Sequence, residues 1–75
     1  MKLNDLKIGE EGIISKVCAD KNIKKRLMDI GFIKGVRVIP VLNNKSMVAY
    51  KIKDTVIAIR KDDTKDIEVY IWKLV

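Results

Sequence analysis

The spacing of apolar positions changes character near Gly35, and each side of that point predicts its own elements. Toward the start, Leu3, Leu6 and Ile8 are apolar, and Gly9 and Gly12 bracket two glutamates, which reads as a turn. GIISKVC follows as a strand with Ile13 and Val17 on one face and Ser15 between them. DKNIKKRLMDIGF is the one segment with helical periodicity, predicting a helix over Lys21–Gly31. Asp20 or Asn22 supplies its N-terminal cap. Ile23, Leu27 and Ile30 form a stripe at about 100° per residue, expected to face the core. Gly31 stands where a left-handed C-terminal cap belongs, with Phe32 free to fold back on the last turn.

Beyond Gly35 the period shortens to two. VRVIPVL is β-branched and predicts a strand, and Pro40 argues for an edge position or a bulge. NNKS reads as a turn. MVAYKIK alternates, with Val48, Tyr50 and Ile52 on one face, and VIAIR returns after a tight KDT loop with Ile57 and Ile59 on one side. KDDTKD is polar and fits a turn or a short helical turn over Asp62–Asp66. IEVYIWKLV sets Ile67, Val69 and Ile71 against Glu68, Tyr70 and Trp72. Five short strands and one helix predict a mainly β fold, a small closed or nearly closed barrel. Closure also hides strand edges that a chain this apolar would otherwise expose.

Composition narrows the function classes. The chain has 75 residues, read as a single domain over 1–75, and its 48% hydrophobic content is that of a globular protein with an aliphatic core. Its one cysteine, Cys18, cannot form an internal disulfide, so a reducing, cytoplasmic setting is expected. Histidine is absent, which removes the usual nitrogen cages for transition metals. The opening MKLNDLKIGEEG has no long apolar run, so no signal peptide is expected, and no stretch is long enough to span a membrane as a helix. The net charge of +6 favours acidic partners or serves solubility alone; its densest cluster is Lys21, Lys24, Lys25 and Arg26.

No catalytic constellation stands out. Cys18 has no histidine to activate it and reads as a small core residue. Asp62, Asp63 and Asp66 lack the glycine and late glutamate of a calcium loop and read as a solvated turn. No glycine-rich loop opens a helix. Enzyme activity is therefore not expected. Two binding surfaces can be drawn instead. Tyr50, Tyr70 and Trp72, with Lys51, Lys53 and Lys73 near them, resemble the stacking platform of a small basic barrel that binds nucleic acid; alternatively Trp72 closes the open end of the barrel. The second surface lies on the helix. With the Ile23 stripe inward, Met28 falls about 140° away. Beside it, Phe32 and Ile33 sit in a turn rimmed by lysines, as a protein-contact surface would.

IKKRLMDIGFIKGVRVIPV carries a resemblance to the FeoA family, small accessory proteins of bacterial ferrous iron transport. The family signature is an Arg-Leu helix end, a Leu-Gly-Phe-like corner, then Pro-Gly-x-x-Val into a strand. VAYKIKDTVIAIRKDDTKDIEV is similar to the family's second half and LNDLKIGEEGIISKV to its opening. Lys34 stands where proline is usual, Asp54 where glycine is usual and Thr64 where alanine is usual, and the NNKS loop is short. The resemblance implies an SH3-like five-stranded barrel. It also implies a partner, a FeoB-type ferrous iron transporter with a cytoplasmic GTPase domain, which would hold the protein peripheral to the membrane. No nucleic acid is then expected, and no cofactor, although transition-metal binding is implied by the resemblance alone. On this reading Lys24, Leu27, Met28, Phe32 and Ile33 are the partner-binding residues, while Gly31 and Gly35 shape the corner.

Overall fold

The helix begins where its cap is built. In the computed structural model, which describes residues 1–72, helix α1 runs over Lys21–Ile30. The Asp20 carboxylate accepts hydrogen bonds from the backbone N–H groups of Asn22 and Ile23, both at 3.0 Å. The helix ends on Gly31, whose φ of 115° is open to glycine and costly for other residues. The Gly31 N–H reaches the Met28 carbonyl at 3.1 Å and the Phe32 N–H reaches the Leu27 carbonyl at 2.9 Å. This pair of bonds brings Phe32 back over Leu27, the apolar contact that closes such a terminus.

The strands are β1 (Gly12–Val17), β2 (Arg37–Asn43), β3 (Met47–Ile52), β4 (Thr55–Arg60) and β5 (Ile67–Ile71). A 3₁₀ turn over Leu3–Asp5 precedes them, and a short helix α2, Lys61–Thr64, links β4 to β5. This helix lies at the predicted polar turn but starts one residue earlier and ends two earlier. The strands form one antiparallel sheet in the order β4-β3-β2-β1-β5. The sheet coils toward a barrel and stays open between β4 and β5. Lys2 bridges to Glu68 on the free side of β5, where the Val69 N–H donates to the Met1 carbonyl at 2.8 Å. That pairing covers one of the two edges closure would otherwise remove.

Two bulges set which side chains enter the core. In β1 the register with β5 shifts between Ile14 and Lys16, leaving Ser15 as the extra residue. A bulge changes parity, so Ile14 and Val17 both face inward, opposite Val69 and Ile67. Simple alternation had paired Ile13 with Val17; Ile13 instead points to the outer face. In β2 the shift falls between Pro40 and Leu42, the predicted bulge, although β2 is a central strand and not an edge. The core gathers Leu3, Leu6, Leu27, Phe32, Val38 and Tyr50 among others, with the Phe32 and Tyr50 rings edge to face at 5.9 Å.

The expected helical stripe is only partly buried. Leu27 is enclosed and Ile23 is half-buried, but Ile30 is 43% exposed beside a groove toward Ala58 and Ile59 of β4. The Gly31 turn sends Phe32 into the space a third stripe residue would have filled. At the β3–β4 hairpin, Lys53 holds a φ of 56°. A left-handed conformation costs a residue with a Cβ about 1 kcal/mol or more. Lys53→Gly is therefore expected to raise the urea midpoint, by about 1 kcal/mol in stability. A midpoint that stays the same or falls counts against strain in this turn.

Candidate functional site

Of the residues assigned to partner contact, four meet in one cleft. Lys24 and Met28 on α1, and Phe32 and Ile33 in the corner after it, line a hollow of about 490 Å³ against Ser15, Lys16 and Val17 of β1. Lys34 closes the set. Met28 is 45% exposed and Ile33 is similarly open, so the cleft offers apolar surface to solvent. Three lysines, Lys16, Lys24 and Lys34, rim it, and no acidic side chain lines it. The arrangement suits a segment that pairs apolar side chains with carboxylates.

Two of the assignments are corrected. Phe32 is 0% exposed; it forms the floor of the cleft and belongs to the core, because the glycine-capped turn folds it inward. Leu27 is buried as well and takes no part in this cleft, lying on the inner face of α1. Lys16 and Lys34 went unassigned. Lys34 was visible as a cation in place of proline, but nothing in local spacing brings Lys16 beside the helix, since that contact needs the chain to reverse between β1 and α1. Gly35 sits at a φ of 91°, with its N–H on the Ile14 carbonyl at 2.7 Å. This links the corner to β1.

The aromatic platform does not assemble. Tyr50 points into the core, 1% exposed, and donates its hydroxyl proton to the Asn4 side-chain oxygen at 3.1 Å. Thr64 Oγ1 donates to the same oxygen at 2.7 Å, and the Asn4 amide donates to the Lys61 carbonyl at 3.0 Å. Thr64, one of the departures from the family pattern, is thus a buried member of a polar network. Burial pushes the Tyr50 hydroxyl pKa up to about 12, against a smaller downward pull from its neighbour Thr64. Tyr70 and Trp72 lie on the opposite, outer face of the sheet, where the Arg37 guanidinium sits 5.1 Å from the Trp72 ring centre. Lys73, the third cation assigned to the platform, lies outside the described residues.

Cys18 is half-buried at the end of β1, its N–H on the Asp66 carbonyl at 3.1 Å. Asp63 faces Arg26 at 3.7 Å. Among the described residues no three Cys, Asp or Glu side chains converge as metal ligands, so these donors do not fit a transition-metal centre. No helix among the described residues is long and apolar enough to cross a membrane.

Comparison with known proteins places this architecture. The family model described as the FeoA domain matches residues 1–71. The chain belongs to the FeoA domain family. A Campylobacter jejuni protein named Fe(2+) transport protein A is 32% identical over 71 residues, covering 92% of this chain and 96% of that one. A Porphyromonas gingivalis protein, named as a fusion of Fe(2+) transport protein A and the Fe(2+) transporter FeoB, is 30% identical over 71 residues. This covers 92% of the present chain and 8% of the fusion. Among solved structures, Stenotrophomonas maltophilia FeoA, described with bound zinc and as an SH3 domain protein, superposes with a TM-score of 0.80 at 25% identity. That match covers 93% of this chain and 89% of the other. The FeoA fold here is mainly β and SH3-like, and the family is linked to ferrous iron transport.

Proposed function

We propose that this FeoA-family protein is a cytoplasmic regulator of ferrous iron uptake that acts by binding a FeoB-type transporter, with no catalytic step of its own. The observation that carries this reading is the Porphyromonas gingivalis fusion, in which a stretch similar to this chain is joined covalently to the transporter FeoB. Two functions kept in one polypeptide work at close range, and where the two are not joined a binding surface must replace that tether. The β1–α1 cleft is our choice for the surface. Met28 and Ile33 supply apolar contact, and Lys16, Lys24 and Lys34 supply steering and register toward an acidic segment of the transporter's GTPase domain.

Amide NMR titration of the labelled protein with that domain, with and without a GTP analogue, tests the reading. Shifts are expected to cluster over Lys24–Ile33 and Lys16. The double variant Lys24→Glu/Met28→Ala is expected to weaken binding by about tenfold or more, while the melting temperature moves by no more than a few degrees. Undiminished affinity in this variant misplaces the surface. Absence of any shift at high partner concentration counts against the GTPase domain as the partner.

A further inference from the structure

An antiparallel sheet with one face on the core usually turns polar side chains outward. The outer face of this sheet mixes charged and apolar ones. Its register sets Ile13 between Arg37 and Tyr70, and Lys51 between Ile39 and Val56, so a row of interleaved apolar and basic positions crosses all five strands. Val56 and Tyr70 are among the most exposed apolar side chains of the molecule, and Trp72, 41% exposed, lines the same hollow as Tyr70. The row borders a shallow, open hollow of about 670 Å³ with three cations on it, Arg37, Lys51 and Lys53. The one acid there, Glu11, is held by Arg37 at 3.6 Å.

We propose that this outer sheet face docks on an anionic lipid bilayer. Charge complementarity selects the occupant: cations interleaved with exposed apolar groups match acidic headgroups above an acyl boundary. Trp and Tyr favour that boundary because each has an apolar body and a polar tip. Arg37 and the lysines reach headgroups with their charged ends while their stems cover apolar surface. Single-stranded nucleic acid fits less well. Base stacking needs free aromatic faces, yet Arg37 occupies one face of Trp72 and Tyr50 is buried, which leaves Tyr70 as the one other exposed ring on this face. The face shares no lining residue with the β1–α1 cleft, so the inference stands apart from the transporter reading.

Trp72 is the only tryptophan in the chain, so its fluorescence reports this face directly. With the full chain, vesicles of equimolar phosphatidylglycerol and phosphatidylcholine should give a saturable blue shift that high salt reverses. Vesicles of phosphatidylcholine alone should not. Lys51→Gln/Lys53→Gln should lower the vesicle partition coefficient on the order of 20-fold. Lys21→Gln/Lys24→Gln, which removes the same charge from α1, should change it by less than about threefold. No shift with anionic vesicles overturns the proposal. Equal losses in the two variants also overturn it, by showing attraction to net charge alone. A shift with single-stranded RNA but not with vesicles assigns the face to nucleic acid instead.

Discussion

Phe32→Ala is expected to leave the protein largely unfolded at room temperature. Phe32 is fully enclosed, edge to face with Tyr50, and its backbone N–H completes the end of α1. Truncating a buried phenylalanine costs about 3–5 kcal/mol through lost transfer energy and the cavity left behind. A single core in a chain this short supplies about the same amount of net stability. Met28→Ala, four residues earlier and at the cleft mouth, should cost less than about 1 kcal/mol. Circular dichroism with urea titration distinguishes the two, and Phe32→Leu should keep the fold with a reduced midpoint. A Phe32→Ala protein that melts within a few degrees of the parent would place this side chain at the surface after all.

The second large effect is expected from Asn4. Its side chain accepts from both Tyr50 and Thr64 and donates to the Lys61 carbonyl, tying the 3₁₀ turn to β3 and to α2. Asn4→Ala leaves the Tyr50 hydroxyl without its acceptor, whereas Thr64 can turn to the Lys61 carbonyl at 3.2 Å. An unsatisfied buried group costs about 1–3 kcal/mol, and the lost bond to Lys61 adds about 1 kcal/mol. Tyr50→Phe removes donor and need together and should cost less.

The same tyrosine sets an alkaline limit. Its pKa stands near 10 in the unfolded chain and about 12 in the folded protein. Between those values the folded state holds the proton more tightly, so stability falls as pH rises through that window, by about 2–3 kcal/mol in all. The quantity that isolates this one group is the difference between parent and Tyr50→Phe urea midpoints at each pH. The parent's excess stability should shrink across the window. A constant difference would mean that Tyr50 ionises equally well in both states.

How much of this was legible in the residues depends on the range over which each feature is decided. Asp20, Gly31 and the helix between them are local chemistry: a carboxylate beside free N–H groups, and a residue without a Cβ at a left-handed turn. The alternation of Val48, Tyr50 and Ile52 groups Tyr50 with two aliphatic residues on one face, and the fold turns that face to the core, which is why an aromatic platform including it does not form. The faces of Ile13 and Ile14 were not legible, because one extra residue at Ser15 inverts the parity of everything before it. Nor was the burial of Thr64, whose partners lie far away in the chain.

The candidate site divides in the same way. Exposure of Met28 follows from the helical angle, and a turn at Phe32 and Ile33 follows from the two glycines around them. Whether that turn faces water or core depends on which side chain fills the space above Tyr50, and Phe32 fills it while Ile30 stays out. Likewise Lys16 joins Lys24 and Lys34 only because β1 and α1 face each other across the cleft. Short-range sterics and hydrogen bonding thus determined the elements, their caps and the family resemblance from sequence alone. Competition among apolar side chains for one small core decided which flank of the corner became surface, and a competition of that kind is settled only when all the elements are in place.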